Sequence, residues 1–420
     1  MKKTGAWLTR YALEQIGVTH TFGIPGFHNT AIYTELQQSD TITPYLVTHE
    51  VSAAFMADAI SRTTKTIGTL LIIPGAGVTH AASGIGEAFL GGIPMLVIAG
   101  GIDYQTNHRF QRQDIDHRAL LSPITKATYL TEHLSDIVPT IFEAYRTAIE
   151  GEPGPVFVEI PVNLQTRSID NGSLPIFDGH RINPPLDMAA IERAAEMLIK
   201  AEHPGLLVGW GARDASESIQ VLATQLNAPV ATTLQGLSVF PANHPLHTGM
   251  GFGPAAVPAA QQAFANCDCL LAIATRFSEI PTGNYGLNMP ETLIHADINP
   301  AVFNANYPAA LTLFGDATDV VTALTSALNA QLPGSNTDDT LTARIAVDKR
   351  NYLVDRQKHP GKRVNPAHFF TALRQHLPDD ALVACDDGSH MFLAAELLPI
   401  YQPGGFICPG DFNAMGYGVP

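Results

Sequence analysis

Glu50 stands apart among the 39 acidic residues of this 420-residue chain. It follows the run Val47-Thr48-His49 and opens the nearly apolar stretch Val51-Ser52-Ala53-Ala54-Phe55-Met56-Ala57-Asp58. A strand running into a helix at this point places Glu50 at the carboxyl end of the strand, the edge where ligands bind in open α/β sheets. A carboxylate desolvated there suits a group that shares a proton with a bound heterocycle. An acidic residue in the first turn of a helix is also favoured by the macrodipole alone, so both uses stay open at this point. Three glycine turns sit at comparable positions: Gly23-Ile24-Pro25-Gly26, Gly75-Ala76-Gly77 and Gly91-Gly92-Ile93-Pro94. Each lets backbone approach a ligand closely or simply makes a tight turn, and none fits the dinucleotide fingerprint.

Other residue types invite chemistry along the same rim. The polar stretch Arg109-Phe110-Gln111-Arg112-Gln113-Asp114-Ile115-Asp116 follows an apolar strand, so the Gln111 amide can face a substrate carbonyl or belong to a solvated loop. Cys385-Asp386-Asp387-Gly388-Ser389-His390 leads from a strand into a helix, where backbone N–H groups and His390 meet an anion or make an ordinary cap. In Phe412-Asn413-Ala414-Met415-Gly416-Tyr417-Gly418 a flexible apolar side chain lies between small residues, a pattern that plain packing also produces.

The elements that must hold these residues alternate along the chain. Helices are expected at 4–16, 28–37, 50–62, 79–90 and 135–150, and strands at 19–22, 43–48, 67–73, 94–99 and 155–160. β-Branched runs such as Leu70-Leu71-Ile72-Ile73 suit strands covered on both faces. The fold class is α/β, with doubly wound, mostly parallel sheets. A polar, proline-containing stretch over 163–187 reads as a surface linker. A second unit follows, with strands at 205–209, 229–233, 269–274 and 292–298 and helices at 188–201, 215–227 and 255–265. A second lapse at 331–339 precedes a helix at 366–376 and a strand at 381–386. The expected domains are 1–165, 186–330 and 345–420. About 80 residues are too few for a doubly wound third domain of ordinary size, so the chain reads as stopping inside it.

Composition narrows the class of function. A net charge of -15, from 24 basic and 39 acidic residues with no Lys/Arg cluster, argues against nucleic acid as a partner. No run approaches the roughly 20 apolar residues of a membrane span, and the amino terminus lacks an apolar leader segment. The four cysteines, Cys267, Cys269, Cys385 and Cys408, match neither a disulfide framework nor a zinc set. A cytoplasmic protein is the simplest expectation.

Taken in order, Phe22-Gly23-Ile24-Pro25-Gly26, His49-Glu50, Gly75-Ala76-Gly77, Phe110-Gln111, Gly154-Pro155-Val156 with Ile160-Pro161, and Met415-Gly416-Tyr417-Gly418 resemble the acetolactate synthase-like branch of thiamine-diphosphate enzymes over nearly the whole chain. The resemblance implies a pyrimidine-binding first domain, a nucleotide-binding-like middle domain and a diphosphate-binding third domain, with the active site between subunits of a homodimer or homotetramer. It implies thiamine diphosphate and Mg²⁺ as cofactors, with FAD as a third candidate, and a small 2-oxo acid, pyruvate favoured, as substrate. Decarboxylation followed by carboligation, within branched-chain amino acid biosynthesis, is the implied activity; a non-carboligating decarboxylase and a catalytically inactive nucleotide-binding relative are the alternatives.

Carried over residue by residue, Glu50 hydrogen-bonds N1′ of the aminopyrimidine and Gln111 faces the substrate. Pro25, Gly26 and Gly77 wall the pyrimidine, Gly388, Ser389 and His390 meet the diphosphate, and Asn413 and Met415 flank the cofactor bend. Ile24 and Phe27 join Gln111 as expected lining of the substrate pocket. A flavin or nucleotide would use Gly209, Thr233, Leu234, Arg276 and Asp297. The magnesium ligands, a Gly-Asp-Gly and a later Asn, are expected beyond Pro420, with no metal residue within the chain. Several positions depart from the pattern. Gly75-Ala76-Gly77 and His80 stand where relatives have Gly-Pro-Gly and Asn, and Asn413 replaces a glycine. Ile280 replaces a second flavin-contacting arginine, and Gly249-Met250-Gly251-Phe252-Gly253 lacks a histidine.

Overall fold

The computed structural model describes residues 2–106, 108–170, 172–179, 181–331, 339–358 and 360–420. They form two compact units, Met1–Ile182 with Phe412–Pro420, and Asn183–Asp411. The first unit contains β1 (Lys2–Thr4), α1 (Gly5–Gln15), β2 (His20–Gly23), α2 (Thr30–Leu36), β3 (Thr43–Leu46), α3 (Glu50–Thr63), β4 (Gly68–Ile72), α4 (Ala76–Gly91), β5 (Met95–Gly101), α5 (His117–Leu121), β6 (Ala127–Leu130), α6 (Ile137–Ile149), β7 (Pro155–Pro161), α7 (Val162–Thr166) and β8 (Ser168–Asp170). Its sheet has the order β3-β2-β4-β5-β7-β6, with every pair parallel. Strands β4, β5 and β7 are buried at every residue, which requires helices on both faces of the sheet. Leu8, Leu13 and Ile141 from the helices meet Leu71, Leu96, Ile98 and Val158 from the strands in one core. The order reverses between β2 and β4, so the crevice beyond their carboxyl ends is the topological switch point.

The second unit contains α8 (Met188–Lys200), β9 (Pro204–Val208), α9 (Ser216–Leu226), β10 (Val230–Thr232), β11 (His247–Met250), α10 (Pro258–Ala263), β12 (Cys269–Ile273), β13 (Thr292–Asp297), β14 (Leu311–Phe314), α11 (Ala317–Gln331), α12 (Asp339–Gln357), α13 (Pro366–His376), β15 (Val383–Ala384), α14 (Ser389–Leu397) and β16 (Phe406–Ile407). Its parallel six-stranded sheet runs β11-β10-β9-β12-β13-β14, with the reversal between β9 and β12.

Four expectations need correction. The stretch expected as a linker over 163–187 begins with ordered structure: α7, then β8, which pairs antiparallel with β1. The Gly91-Gly92 turn is not at a strand's carboxyl end; Gly92 caps α4 in the left-handed region (φ 65°) and leads into β5 at the opposite edge. The helix expected from 79 begins at Ala76, and the strand expected over 381–386 narrows to Val383–Ala384. The edge strands β6, β11 and β14 were not anticipated, because short edges carry neither the continuous apolar run of a buried strand nor a clean alternation. Within the second expected linker, residues 332–338 lie outside those described.

Candidate active site

In the first unit, four adjacent parallel strands deliver their following turns to one rim. Gly23–Gly26 follows β2, Glu50 follows β3, Gly75–Gly77 follows β4, and the segment containing Gln111 follows β5. Glu50 is the first residue of α3 and only 5% exposed. Its Oε2 lies 3.1 Å from His80 Nδ1. The nearby Tyr33 hydroxyl donates to the Leu71 carbonyl at 2.9 Å; burial, and then the Glu50 charge, push its proton affinity well up.

Both glycine turns close on Ile73. A Cβ added at Gly26 would lie 2.8 Å from Ile73 Cγ2, and one at Gly77 would lie 2.8 Å from Ile73 Cγ1 and 3.5 Å from Glu50 Oε1. The absent side chain at Gly77 therefore keeps space open beside one carboxylate oxygen. The Gly26 turn is held from within, since Gly26 N–H donates to Asn29 Oδ1 at 2.7 Å and Asn29 Nδ2 donates to the Ile24 carbonyl. Pro25 is exposed beside it, and Phe27 is 73% exposed.

Gly75 takes φ +60°, and a Cβ there would meet Gln113, so the turn into α4 needs glycine. Its N–H donates to buried His117 Nε2 at 2.7 Å. That acceptor role leaves the His117 proton on Nδ1, 3.4 Å from Glu159 Oε1. The same Glu159 oxygen accepts the Tyr104 hydroxyl at 2.9 Å, and the Tyr104 hydroxyl holds its proton well above the usual range, first through burial and then through the Glu159 charge. Buried His117 thus anchors, through its acceptor Nε2, the turn that sets Gly77 against Glu50, with the Glu159–Tyr104 pair packed beside it. The sequence reading missed this group, although Glu159, a lone charge in Pro155–Pro161, was its visible signal. The half-buried Gln111 spends its amide on the Asp103 carbonyl at 3.0 Å.

The segment Phe412–Pro420 belongs to the same unit. The Phe412 ring packs against Gly86, Ala414 N–H donates to buried Glu87 Oε2 at 3.1 Å, and the Tyr417 hydroxyl donates to Asp58 Oδ2 at 2.6 Å. Asp58 also accepts Arg62 Nε at 2.6 Å, with both side chains essentially inaccessible. These anchors leave Met415 79% exposed between them, while Asn413 turns outward at φ 55°. The anchoring residues sit on α3 and α4, the helices that begin with Glu50 and carry Gly77 and His80.

The remaining expected site residues lie in the second unit. Gly209, Thr233, Leu234, Arg276 and Asp297 stand at or just beyond the carboxyl ends of adjacent strands β9, β10, β12 and β13. Several already serve the fold: a Cβ at Gly209 would strike the Ala274 carbonyl, Thr233 Oγ1 accepts Gly236 N–H, and Asp297 Oδ1 accepts Asn299 N–H. Leu234 is buried, and Arg276 lies 3.7 Å from Asp411. Gly388 precedes α14, whose first residues Ser389 and His390 are exposed. Among the described residues no group of three or more His, Cys, Asp or Glu side chains is placed to hold a metal ion.

In the first unit a parallel sheet thus carries a buried glutamate at its carboxyl edge, beside a gap that glycine keeps open. Residues 3–120 match the family model described as the N-terminal TPP binding domain of thiamine pyrophosphate enzymes, and residues 191–324 match that of the central domain. The molecule is thus an enzyme of the thiamine-diphosphate-dependent class. An acetolactate synthase large subunit of Corynebacterium glutamicum is 31% identical over 424 residues, covering 100% of this chain and 68% of its own. A probable acetolactate synthase large subunit of Methanocaldococcus jannaschii is 31% identical, covering 97% of this chain and 71% of its own. The isozyme 2 large subunit of Escherichia coli is 30% identical, covering 99% and 74% respectively. The chain belongs to the acetolactate synthase large-subunit family of thiamine-diphosphate enzymes.

Proposed function

We propose that the protein decarboxylates a small 2-oxo acid, pyruvate foremost, and joins the remaining two-carbon unit to a second carbonyl compound. The observation that carries this is Glu50: buried at the rim, with Oε2 engaged by His80 and Oε1 beside the gap at Gly77. The residues present fit an aminopyrimidine, because that gap adjoins a carboxylate oxygen able to hold a proton at the ring nitrogen N1′. When bound, thiamine diphosphate supplies the electron sink that decarboxylation needs. Glu50 holds or releases the proton at N1′, the glycine turns at 26 and 77 let backbone close on the ring, and the apolar start of α3 keeps water from the carboxylate. Met415, exposed between two buried anchors, would offer its apolar surface to the cofactor, and Gln111, whose amide donates to the Asp103 carbonyl, is the residue proposed to face the substrate.

Gly388, Ser389 and His390 are the proposed contacts to the diphosphate, with Mg²⁺ as its counter-ion; among the described residues no three His, Cys, Asp or Glu side chains gather to hold that ion. FAD is proposed for the carboxyl edge of the second sheet, where Gly209, Thr233, Leu234, Arg276 and Asp297 stand. The domains fall at 1–165, 186–330 and 345–420 in this proposal, with homo-oligomeric assembly completing the site between subunits. No helix among the described residues is long and apolar enough to cross a membrane.

Glu50→Gln tests the assignment. With circular dichroism unchanged, pyruvate turnover in the presence of thiamine diphosphate and Mg²⁺ should fall by about 10²–10⁴; full turnover would overturn it. Acetolactate as the product supports carboligation, whereas acetaldehyde alone assigns the protein as a simple decarboxylase. Visible flavin absorbance in the purified protein tests FAD.

A further inference from the structure

His80 is more than a neighbour of Glu50. It lies one turn beyond Gly77 on α4, and its Nδ1 sits 3.1 Å from Glu50 Oε2. Although the His80 side chain is 51% exposed, its ring is stacked on His49, with centroids 4.8 Å apart and planes at 28°. His49 is itself fixed, because its Nδ1 accepts Val51 N–H at 3.3 Å as the cap of α3. An ionised carboxylate oxygen can only accept, so against ionised Glu50 His80 presents its proton on Nδ1 toward Oε2. The other oxygen, Oε1, is the one beside the space that a side chain at residue 77 would fill. One carboxylate is thereby divided into a tied oxygen and an available one. An asparagine at this position would offer a shorter donor and no ring to stack.

We infer that His80 is a positioning residue: held by His49 and donating from Nδ1 to Glu50 Oε2, it fixes the carboxylate plane and reserves Oε1 for the aminopyrimidine. This rests on the role of Glu50 proposed above, and the test separates the two. The first readout needs no cofactor. In ¹⁵N–¹H correlation spectra of the histidine rings in the apo protein, His80 should carry its proton on Nδ1, and Glu50→Ala should move it toward Nε2–H, the form favoured by an imidazole in water. A wild-type His80 that is already Nε2–H overturns the inference, whether or not the variant folds. The second readout is kinetic. His80→Phe keeps a ring on His49 but has no donor, and should lose about tenfold in kcat/KM and raise the KM for thiamine diphosphate, while His80→Asn recovers part of the loss. If His80→Phe matches wild type while Glu50→Gln is inactive, His80 has no positioning role and Glu50 keeps its own. If Glu50→Gln is fully active, the reading of Glu50 fails, and this inference with it.

Discussion

The residues that present Met415 also give the most exacting test of the first unit's energetics. Asp58 and Arg62 lie one turn apart on α3 with side chains 0% and 1% exposed, joined by bonds of 2.6 and 3.4 Å. Burial alone would depress the Arg62 guanidinium, but the Asp58 charge, with help from Tyr417 and Glu87, more than reverses this and holds it strongly protonated. Asp58→Ala therefore leaves a cation in the core without its closest carboxylate, and removes the acceptor of the Tyr417 hydroxyl. Breaking such a pair from one side costs about 3–5 kcal/mol. Glu87, 0% exposed and acting on the same guanidinium, keeps part of the compensation, so about 3 kcal/mol is expected here. For a unit of about 190 residues this lowers Tm by about 6–12 °C. Thermal unfolding followed by circular dichroism measures it, and Asp58→Ala with Arg62→Met should recover most of the loss because both charges are gone. A drop below about 1 kcal/mol, or a double variant no more stable than Asp58→Ala, would refute a desolvated, mutually dependent pair.

Two further outcomes follow from distances and environments in the structure. Gly77→Ala places a methyl 2.8 Å from Ile73 Cγ1 and 3.5 Å from Glu50 Oε1, so titration calorimetry should show weaker thiamine diphosphate binding. The better helix propensity of alanine, about 1 kcal/mol, offsets part of the packing strain of about 1–3 kcal/mol, leaving a small change in Tm. In the second unit, burial lowers Lys349, whose Nζ lies 2.9 Å from His247 Nδ1, to about 8. Between pH 8 and its unfolded value the unfolded chain binds more protons, so this group penalises folding fully below about 8 and ceases to do so as pH rises toward 10.5. Relative to Lys349→Met, the wild type should gain stability from pH 7 to pH 10 in thermal melts; parallel curves would refute the depressed amine.

How much of this was legible beforehand depended on the range of the interaction that made it. Glu50 was legible because a strand, a polar junction and an apolar helix are consecutive in sequence, and the switch-point rule converts that order into a place in space. Gly75 and Gly77 were legible for the same reason, whereas Gly92 was misplaced because a glycine that caps a helix looks in sequence like one that ends a strand. The edge strand β14, with its first two residues half-buried and its last exposed, lacked the patterning that marks β4 and β5.

The buried polar chains could be suspected but not assembled. Asp58 and Arg62, four residues apart in a mostly apolar helix, announce a buried pair to anyone who asks why two charges stand there. Nothing local says that the third member is Tyr417, 359 positions away, or that Glu87 on the next helix receives the Ala414 amide. Such long-range partners cannot be deduced from spacing, but the need for them can: a charge without solvent must be paired or hydrogen-bonded. Unexplained charges in apolar elements, Glu159 in β7 and Asp58, Arg62 and Glu87 in α3 and α4, are therefore the sequence positions from which the supporting structure of this site could have been sought. Each of them leads toward a backbone segment of the candidate site: Glu159 lies 3.4 Å from His117, which accepts the Gly75 amide, and the helix charges hold the segment that exposes Met415.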